Sequence, residues 1–220
     1  MDLSTTLVVI AAALLLAATA LTWWLRRRAA FQSALQQRGW RLRTDGDDTV
    51  VVPATGDWTL TMRRSYVGQM SPPGKHLVTS VWTCPMPATL GPVLVAGPAP
   101  PPELRELAAG LVGSVSPTVT RWLGIDRVSD GRPLRPVPAM DDRLLVFATD
   151  GIGPIGTLRA VADAIGDWCS VYETEREQPV LLLDRSGMSV RVRTDVLTSV
   201  DVADAFVTLG LRCRGALGRS

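Results

Sequence analysis

Residues 7–25, LVVIAAALLLAATALTWWL, form an apolar run without a charged side chain, in which Thr19 and Thr22 are the polar residues. A helix of this length covers about 28 Å at about 1.5 Å per residue, which matches the ~30 Å hydrocarbon core of a bilayer. A helix also satisfies each backbone amide internally, as a lipid environment requires. The run therefore predicts a single transmembrane helix within an N-terminal membrane anchor, residues 1–28.

Two other interpretations of this run fit the sequence less well. A cleaved signal peptide begins with basic residues and ends at a small-residue cleavage site. Here residues 1–6 contain no lysine or arginine, and the run ends in two tryptophans and an arginine triplet. A buried core helix seldom extends so far without a polar face. A helix that spans the bilayer remains the favoured interpretation.

The end of the run indicates which way the helix is oriented. Five residues form a candidate membrane-interface set: Trp23, Trp24, Arg26, Arg27 and Arg28. Indole rings favour the headgroup level, and clustered arginines stay on the cytoplasmic side. We call Arg26, Arg27 and Arg28 the arginine collar. The collar predicts that residues 26–220 are cytoplasmic and that the segment before the run lies outside; the inverted topology is the alternative.

Composition excludes several classes of function. A formal net charge of +2 does not indicate a nucleic-acid partner. The chain has one histidine, His76, and three widely spaced cysteines: Cys84, Cys169 and Cys213. This set predicts neither a metal site nor a disulfide, and it suits a reducing compartment. Lys75 is the one lysine among 23 basic residues, a bias typical of GC-rich bacterial genes. The predicted location is therefore a bacterial inner membrane.

The sequence after the anchor, residues 29–220, predicts a soluble α+β domain with a mostly antiparallel sheet and helices packed on one face. Strands are predicted at 40–44, 50–52, 58–63, 76–84, 92–96, 144–149, 168–173, 180–183 and 188–193. Helices are predicted at 29–38, 103–112, 117–124, 155–165 and 200–216. Proline-rich connections without regular structure are predicted near 97–102 and 131–138.

The two ends of this domain resemble each other in pattern. Residues 31–63 read as a helix, Gly-Trp and three strands, and residues 158–193 read as a helix, Gly-Asp-Trp and three strands. Two α-β-β-β pseudo-repeats would explain the resemblance. Chance similarity between generic hairpins explains it equally well.

One segment resembles a nucleotide-binding loop. Residues 151–156 read GIGPIG, so Gly151, Gly153 and Gly156 match G-x-G-x-x-G between a predicted strand and a predicted helix. Backbone amides at a helix N-terminus bind phosphate. Against this interpretation, Pro154 removes one amide donor, and too few residues follow to complete a dinucleotide-binding half. A tight strand-to-helix turn is the favoured interpretation.

The remaining chemical candidates are weak. His76 fits a strand edge, and Cys84 fits a buried thiol. The acidic residues suit exposed loops: Asp141, Asp142, Glu173, Glu175 and Glu177. Arg191 and Arg193 share a strand face with Ser189, where phosphate or anionic lipid is an alternative to plain solvent exposure. The tryptophans beyond the anchor favour core positions over a binding surface: Trp40, Trp58, Trp82, Trp122 and Trp168.

These observations give two expectations of function. The first is a single-pass membrane protein whose cytoplasmic domain is a non-catalytic interaction or scaffold module, with the lipid bilayer and an unidentified protein as partners and without a cofactor. The second is a membrane-tethered enzyme or sensor that binds a nucleotide or phosphate at Gly151–Gly156. No catalytic residue is assigned, and the sequence does not indicate an oligomeric state.

Overall fold

The computed structural model describes residues 3–66, 76–86, 93–96, 135–137, 145–148, 156–172, 178–184 and 186–218. Its side-chain detail covers 14–64, 78–86, 146–147, 158–172, 178–184 and 186–218. The helices predicted at 103–112 and 117–124, the connection at 97–102 and Trp122 lie outside the described residues.

Three α-helices and nine strands make up the described ranges. The helices are α1 (Leu3–Gln37), α2 (Gly156–Tyr172) and α3 (Val200–Leu217), and a short 3-10 turn at Val196–Thr198 precedes α3. The strands are β1 (Trp40–Asp45), β2 (Asp48–Pro53), β3 (Thr59–Tyr66), β4 (His76–Cys84), β5 (Val93–Ala96), β6 (Arg135–Val137), β7 (Leu145–Ala148), β8 (Val180–Asp184) and β9 (Gly187–Val192).

The strands form one sheet in the order β1-β2-β3-β4-β9-β8-β5-β7-β6. Every pair of neighbours among these described strands is antiparallel. The first four strands follow one another as hairpins, whereas β4 pairs with β9, more than a hundred residues away in sequence. The predicted α+β class with a mostly antiparallel sheet is confirmed.

One face of the sheet carries the core. A continuous row of paired residues crosses six strands: Leu42, Val51, Leu60, Trp82, Val190 and Leu181. All but Leu42 are fully buried, because α3 packs across β4 and β9 on this side and α2 packs against α3. The alternate residues of the same strands, such as Thr59, Thr61 and Arg63, lie on the opposite face and are half-buried or exposed.

The four tryptophans of the domain that the structure describes are core residues, as predicted. Trp40 meets Trp58 edge to face at 5.5 Å between ring centroids, and Trp58 stacks on Trp82 at 6.4 Å. Trp168 packs at 5.3 Å against Phe206 of α3. Such aromatic pairs add to the stabilisation given by their buried area. Trp40, Trp58 and Trp82 therefore pack along the sheet, and Trp168 packs α2 against α3.

The start of α3 is defined by polar side chains. The Ser199 hydroxyl accepts a hydrogen bond from the Val202 amide at 3.2 Å, and the Asp195 carboxylate accepts one from the Leu197 amide at 2.9 Å. Both satisfy amides that a helix start leaves without a partner. Fully buried Ser80 donates to the Thr194 carbonyl at 2.6 Å and so fixes the connection from β9 to α3. The predicted helix 200–216 is confirmed within one residue.

The strand predicted at 168–173 is wrong. Residues 168–172 belong to α2, which continues to Tyr172. Leu158, Val161, Ile165 and Trp168 follow the helical period and are all buried, so packing decides the conformation in spite of locally strand-favouring residues. Because that strand is absent, the described part of the second half reads helix, strand, strand, helix. In the described residues of 158–193, the second of the two predicted α-β-β-β pseudo-repeats therefore does not form.

The connection predicted near 131–138 is not entirely irregular. Arg135–Val137 form β6, which pairs with β7 and ends the strand order on that side. An outer strand tolerates Pro136, since a proline lacks the amide that an inner strand must donate.

Candidate functional site

The N-terminal helix α1 extends out of the domain, and the extended part is mostly apolar. From Leu14 to Ala30 every side chain is exposed, including Leu16 at 71 % and Trp23 at 61 %. By contrast, Leu35 near the end of the same helix is 1 % exposed. Soluble monomers seldom expose a contiguous apolar surface of this kind. We call residues 14–30 the exposed shaft.

Within the exposed shaft, arginines lie over the two indole rings. The Arg27 guanidinium lies 5.3 Å from the Trp23 ring centroid, and that of Arg28 lies 5.4 Å from the Trp24 ring centroid. Each pair is four residues apart, the spacing that brings side chains together on a helix, and a cation over an indole face is an attractive contact. The structure thus brings together four of the five predicted interface residues; Arg26 is exposed beside them.

The polar groups of the exposed shaft are satisfied within the helix. Thr19 donates its hydroxyl hydrogen to the Leu16 carbonyl, and Thr22 donates to the Thr19 carbonyl, both at 2.9 Å. Neither hydroxyl needs a water molecule or a partner from another chain. These bonds make the two threonines compatible with an apolar surrounding.

The C-terminal end of α1 packs against the domain. Leu35 belongs to the core, and the Arg38 guanidinium lies 3.5 Å from a carboxylate oxygen of Asp201 and 3.5 Å from one of Asp204. Gly39 then turns the chain with φ +71°, a conformation that favours glycine. The helix α1 runs without a break from the exposed shaft into this contact with the domain.

Across the described residues, no helix is long and apolar enough to cross a membrane. The crossing predicted from residues 7–25 therefore stays a prediction.

A cleft of about 260 Å³ lies where β3 and β9 begin and β4 ends. Its lining includes Asp57, Thr59, Thr83, Cys84 and Ser189. The Thr59 and Thr83 hydroxyls are 2.6 Å apart and bond to each other. The cleft is rich in hydroxyl groups, and its lining does not include a histidine.

The charged groups beside this cleft, Asp57 and Arg214, form an ion pair. Asp57 accepts hydrogen bonds from both terminal nitrogens of Arg214, one of them at 2.7 Å. The hydrogen bond from Arg214 lowers the pKa of the Asp57 carboxyl. An ionised carboxylate held in this way is a poor general base at neutral pH. Among the described lining residues, Asp57 is therefore not poised to act as a general base.

Burial disfavours the Cys84 thiol in the cleft as a nucleophile. Cys84 is 4 % exposed, and burial raises the pKa of its thiol to about 11. The thiolate is the reactive form, and it is scarce at neutral pH when the pKa is so high. This agrees with the interpretation of Cys84 as a buried core residue.

The two buried thiols predict a loss of stability in alkali. Burial raises the pKa of Cys84 to about 11 and that of Cys213 to about 12. In the unfolded chain the thiols ionise around their ordinary pKa of 9.0, whereas in the folded chain they stay neutral well above it. We expect the free energy of unfolding to fall by about 2–3 kcal/mol between pH 8 and pH 10. Urea titrations at both pH values measure this difference.

The control for the alkaline effect is the double variant C84A/C213A. It is less stable at pH 8, but its free energy of unfolding should change much less between the two pH values. An equal fall in both proteins would contradict the assignment to these thiols.

Several predicted candidates lie partly or wholly outside the described residues. Of the glycine motif 151–156, only Gly156 is described, as the first residue of α2. Nothing in the structure bears on Gly151 and Gly153 or on the side chain of His76. The acidic residues at 141–142 and 173–177 are also outside the described ranges. Among the described side chains, no group of three or more His, Cys, Asp or Glu residues is placed to hold a metal.

Two ion-pair groups were not predicted from sequence. Asp57 binds Arg214, and Arg38 binds the start of α3. Their partners are more than 150 residues apart, and no local pattern connects them. Arg191 lies half-buried on the sheet face opposite the helices, as does Ser189.

No protein-family model matches the chain, and no curated protein and no solved structure matches it.

Proposed function

We propose that this chain is a single-pass protein of a bacterial inner membrane whose C-terminal α+β domain is a cytoplasmic, non-catalytic interaction module. The observation that carries the proposal is the exposed shaft of α1, whose leucines have no covering element among the described residues. A lipid bilayer would remove this apolar surface from water.

The charge pattern supports the same assignment. Residues 7–25 carry no charge, and the arginine collar follows at once. Indoles with guanidinium groups over their faces suit the headgroup region, where one side of a residue is apolar and the other is wet. That no described helix meets the length and apolarity of a membrane span weighs against the proposal. The uncharged run that begins at residue 7 weighs in its favour.

The interaction role follows from the chemistry of the described domain. Its cleft holds a protonated thiol and a carboxylate bound to arginine, and neither is suited to acid–base or nucleophilic work. The domain is instead fixed to the helix by Leu35 and Arg38. This attachment of the helix to the domain would present the domain surface to partners at a constant distance from the bilayer.

The test of the anchor is membrane extraction of the full-length chain. Wild type should stay in the membrane fraction after alkaline carbonate. Replacing Leu15 and Leu16 by arginine, L15R/L16R, places two charges in the middle of the run, at a cost of about 3 kcal/mol each. We expect most of this variant in the soluble or aggregated fraction.

The matched control is L211R, which changes an exposed leucine of α3. It should remain in the membrane like wild type. Release of the wild-type chain by carbonate would overturn the anchor.

A second function is favoured by one observation, the start of α2 at Gly156, the last residue of the glycine motif. A nucleotide or phosphate held by the amides of 151–156 would stabilise the domain by mass action. Thermal unfolding of the full chain with millimolar ATP, NAD or inorganic phosphate tests this. An unchanged unfolding temperature would exclude this alternative.

A further inference from the structure

Among the described residues, the first strand of the sheet has a free edge. β1 begins the strand order and pairs with β2 alone among the described strands. Its residues Arg41, Arg43, Thr44 and Asp45 are exposed. An outer strand of this kind offers a row of backbone groups to any further strand.

The register shows which backbone groups point outward. The Ala54 amide donates to the Gly39 carbonyl at 2.6 Å, so these two residues form a hydrogen-bonded pair of the ladder. Hydrogen-bonded and non-hydrogen-bonded pairs alternate along an antiparallel ladder. Arg41, Arg43 and Asp45 therefore bond to β2, whereas Trp40, Leu42 and Thr44 direct their amides and carbonyls away from the sheet.

The side chains at this edge set the chemistry of a partner. Arg41 and Arg43 lie on the same face, opposite that of Leu42, and neither forms an ion pair with a described residue. A strand added antiparallel to β1 would bond at Leu42 and Thr44. It would then face both arginines in non-hydrogen-bonded pairs, where cross-strand side chains approach most closely. Carboxylates at alternate positions of that strand would meet both guanidinium groups.

A second copy of the chain satisfies the two arginines less well than an acidic strand does. Antiparallel self-pairing centred on Leu42 sets Arg41 opposite Arg43 of the copy, and like charges directly opposite each other destabilise a sheet. Self-pairing centred on Arg43 or on Thr44 sets one arginine opposite Asp45 and leaves the other without a carboxylate of β1 opposite it. Self-association of the chain that protects the Leu42 and Thr44 amides without peptide would overturn the inference.

We infer that the free edge of β1 is a docking site for an extended acidic segment of a partner protein, which adds a tenth strand to the sheet. The segment carries aspartate or glutamate at alternate positions, facing Arg41 and Arg43, with apolar residues between them beside Leu42. This assignment rests on the proposed interaction role and names the kind of partner for it. It is independent of the membrane anchor.

The probe is a blocked peptide, Thr-Val-Glu-Val-Glu-Val-Thr, titrated against the full-length chain in detergent micelles. A matched peptide has lysine in place of both glutamates. We expect the lysine peptide to bind about tenfold more weakly or worse, because two opposite-charge pairs become like-charge pairs. Equal affinities, or no binding of the glutamate peptide, would overturn the inference.

Reversing the charge of the protein instead of the peptide gives the second part of this test. The variant R41E/R43E should prefer the lysine peptide, whereas R159E, which reverses an exposed arginine of α2, should behave as wild type. Neither change touches the core, and the same unfolding temperature as wild type checks this. If R41E/R43E loses affinity for vesicles of anionic phosphatidylglycerol and not for the peptide, the arginines serve a lipid surface and the inference fails.

Amide hydrogen exchange locates the bound peptide. At a free peptide concentration ten times Kd, exchange at Leu42 and Thr44 should slow by about tenfold, while the amides of Arg41 and Arg43 change little. Protection elsewhere, with unchanged exchange at these two amides, would place the peptide at another site and overturn the inference. Failure here would leave carbonate-resistant membrane attachment unaffected, so the two proposals are tested separately.

Discussion

Replacing Gly210 by alanine should lower the free energy of unfolding by about 2–4 kcal/mol. A Cβ atom at this position of α3 would lie 2.3 Å from Cδ2 of Trp82 and 2.6 Å from its Cε3. Non-bonded carbon atoms are at their optimal separation near 3.5–4.0 Å, so the ring or the helix must move.

Neither the ring nor the helix can move cheaply. Trp82 is fully buried in the central strand β4 and stacks on Trp58, which in turn meets Trp40 edge to face. A shift of the Trp82 ring therefore disturbs a chain of three indoles. A shift of α3 instead strains its contacts with β4, β9 and α2. Close-packed interiors absorb added volume poorly, so the overpacking cost exceeds the gain of about 1 kcal/mol that alanine brings to a helix.

The same helix contains the matched control. A Cβ atom at Gly215 would have no other atom within 4 Å. G215A should therefore raise the free energy of unfolding by up to about 1 kcal/mol, since only helix propensity changes. Urea unfolding of wild type, G210A and G215A, followed by tryptophan fluorescence, measures both effects. If G210A were as stable as G215A, the close packing of α3 on Trp82 would be disproved.

The fold class was predictable because helices and strands differ in the spacing of their apolar residues along the chain. The period of two in Thr59–Met62 and the helical stripe of Phe206, Leu209 and Cys213 are local patterns, and both elements form as predicted. The strand predicted at 168–173 failed for a related reason. Gly166 resembles a helix end, yet buried residues before and after it share one stripe, so the helix continues to Tyr172. Tertiary packing supplies a signal that a short window lacks.

The candidate sites were predictable in part. Trp23, Trp24 and the arginine collar are adjacent in sequence, so their proximity on a helix follows from the spacing alone. The edge position of β1 depends instead on the strand order, and the strand order depends on β4 pairing with β9. No local pattern encodes that long-range pairing. For this reason the sequence alone does not indicate that Arg41 and Arg43 lie on an edge strand; the strand order is needed to show it.

The arginine collar should decide on which side of the membrane the domain lies. The proposed orientation depends on the excess of basic residues after the apolar run over those before it. A swapped variant combines R26E, R27E and R28E with D2R and S4R, and so moves most of this excess to the other flank. We expect the majority of its chains to carry the C-terminal domain outside, whereas wild type carries it inside.

The measurement is a pair of C-terminal reporter fusions, one fluorescent only in the cytoplasm and one enzymatically active only in the periplasm. The control variant R26K/R27K/R28K retains the three charges and changes the guanidinium contacts with Trp23 and Trp24. Because lysine and arginine count equally in setting orientation, this control should keep the wild-type orientation. A swapped variant with its reporter still cytoplasmic would show that the collar does not set the topology. A periplasmic reporter on wild type would establish the inverted arrangement.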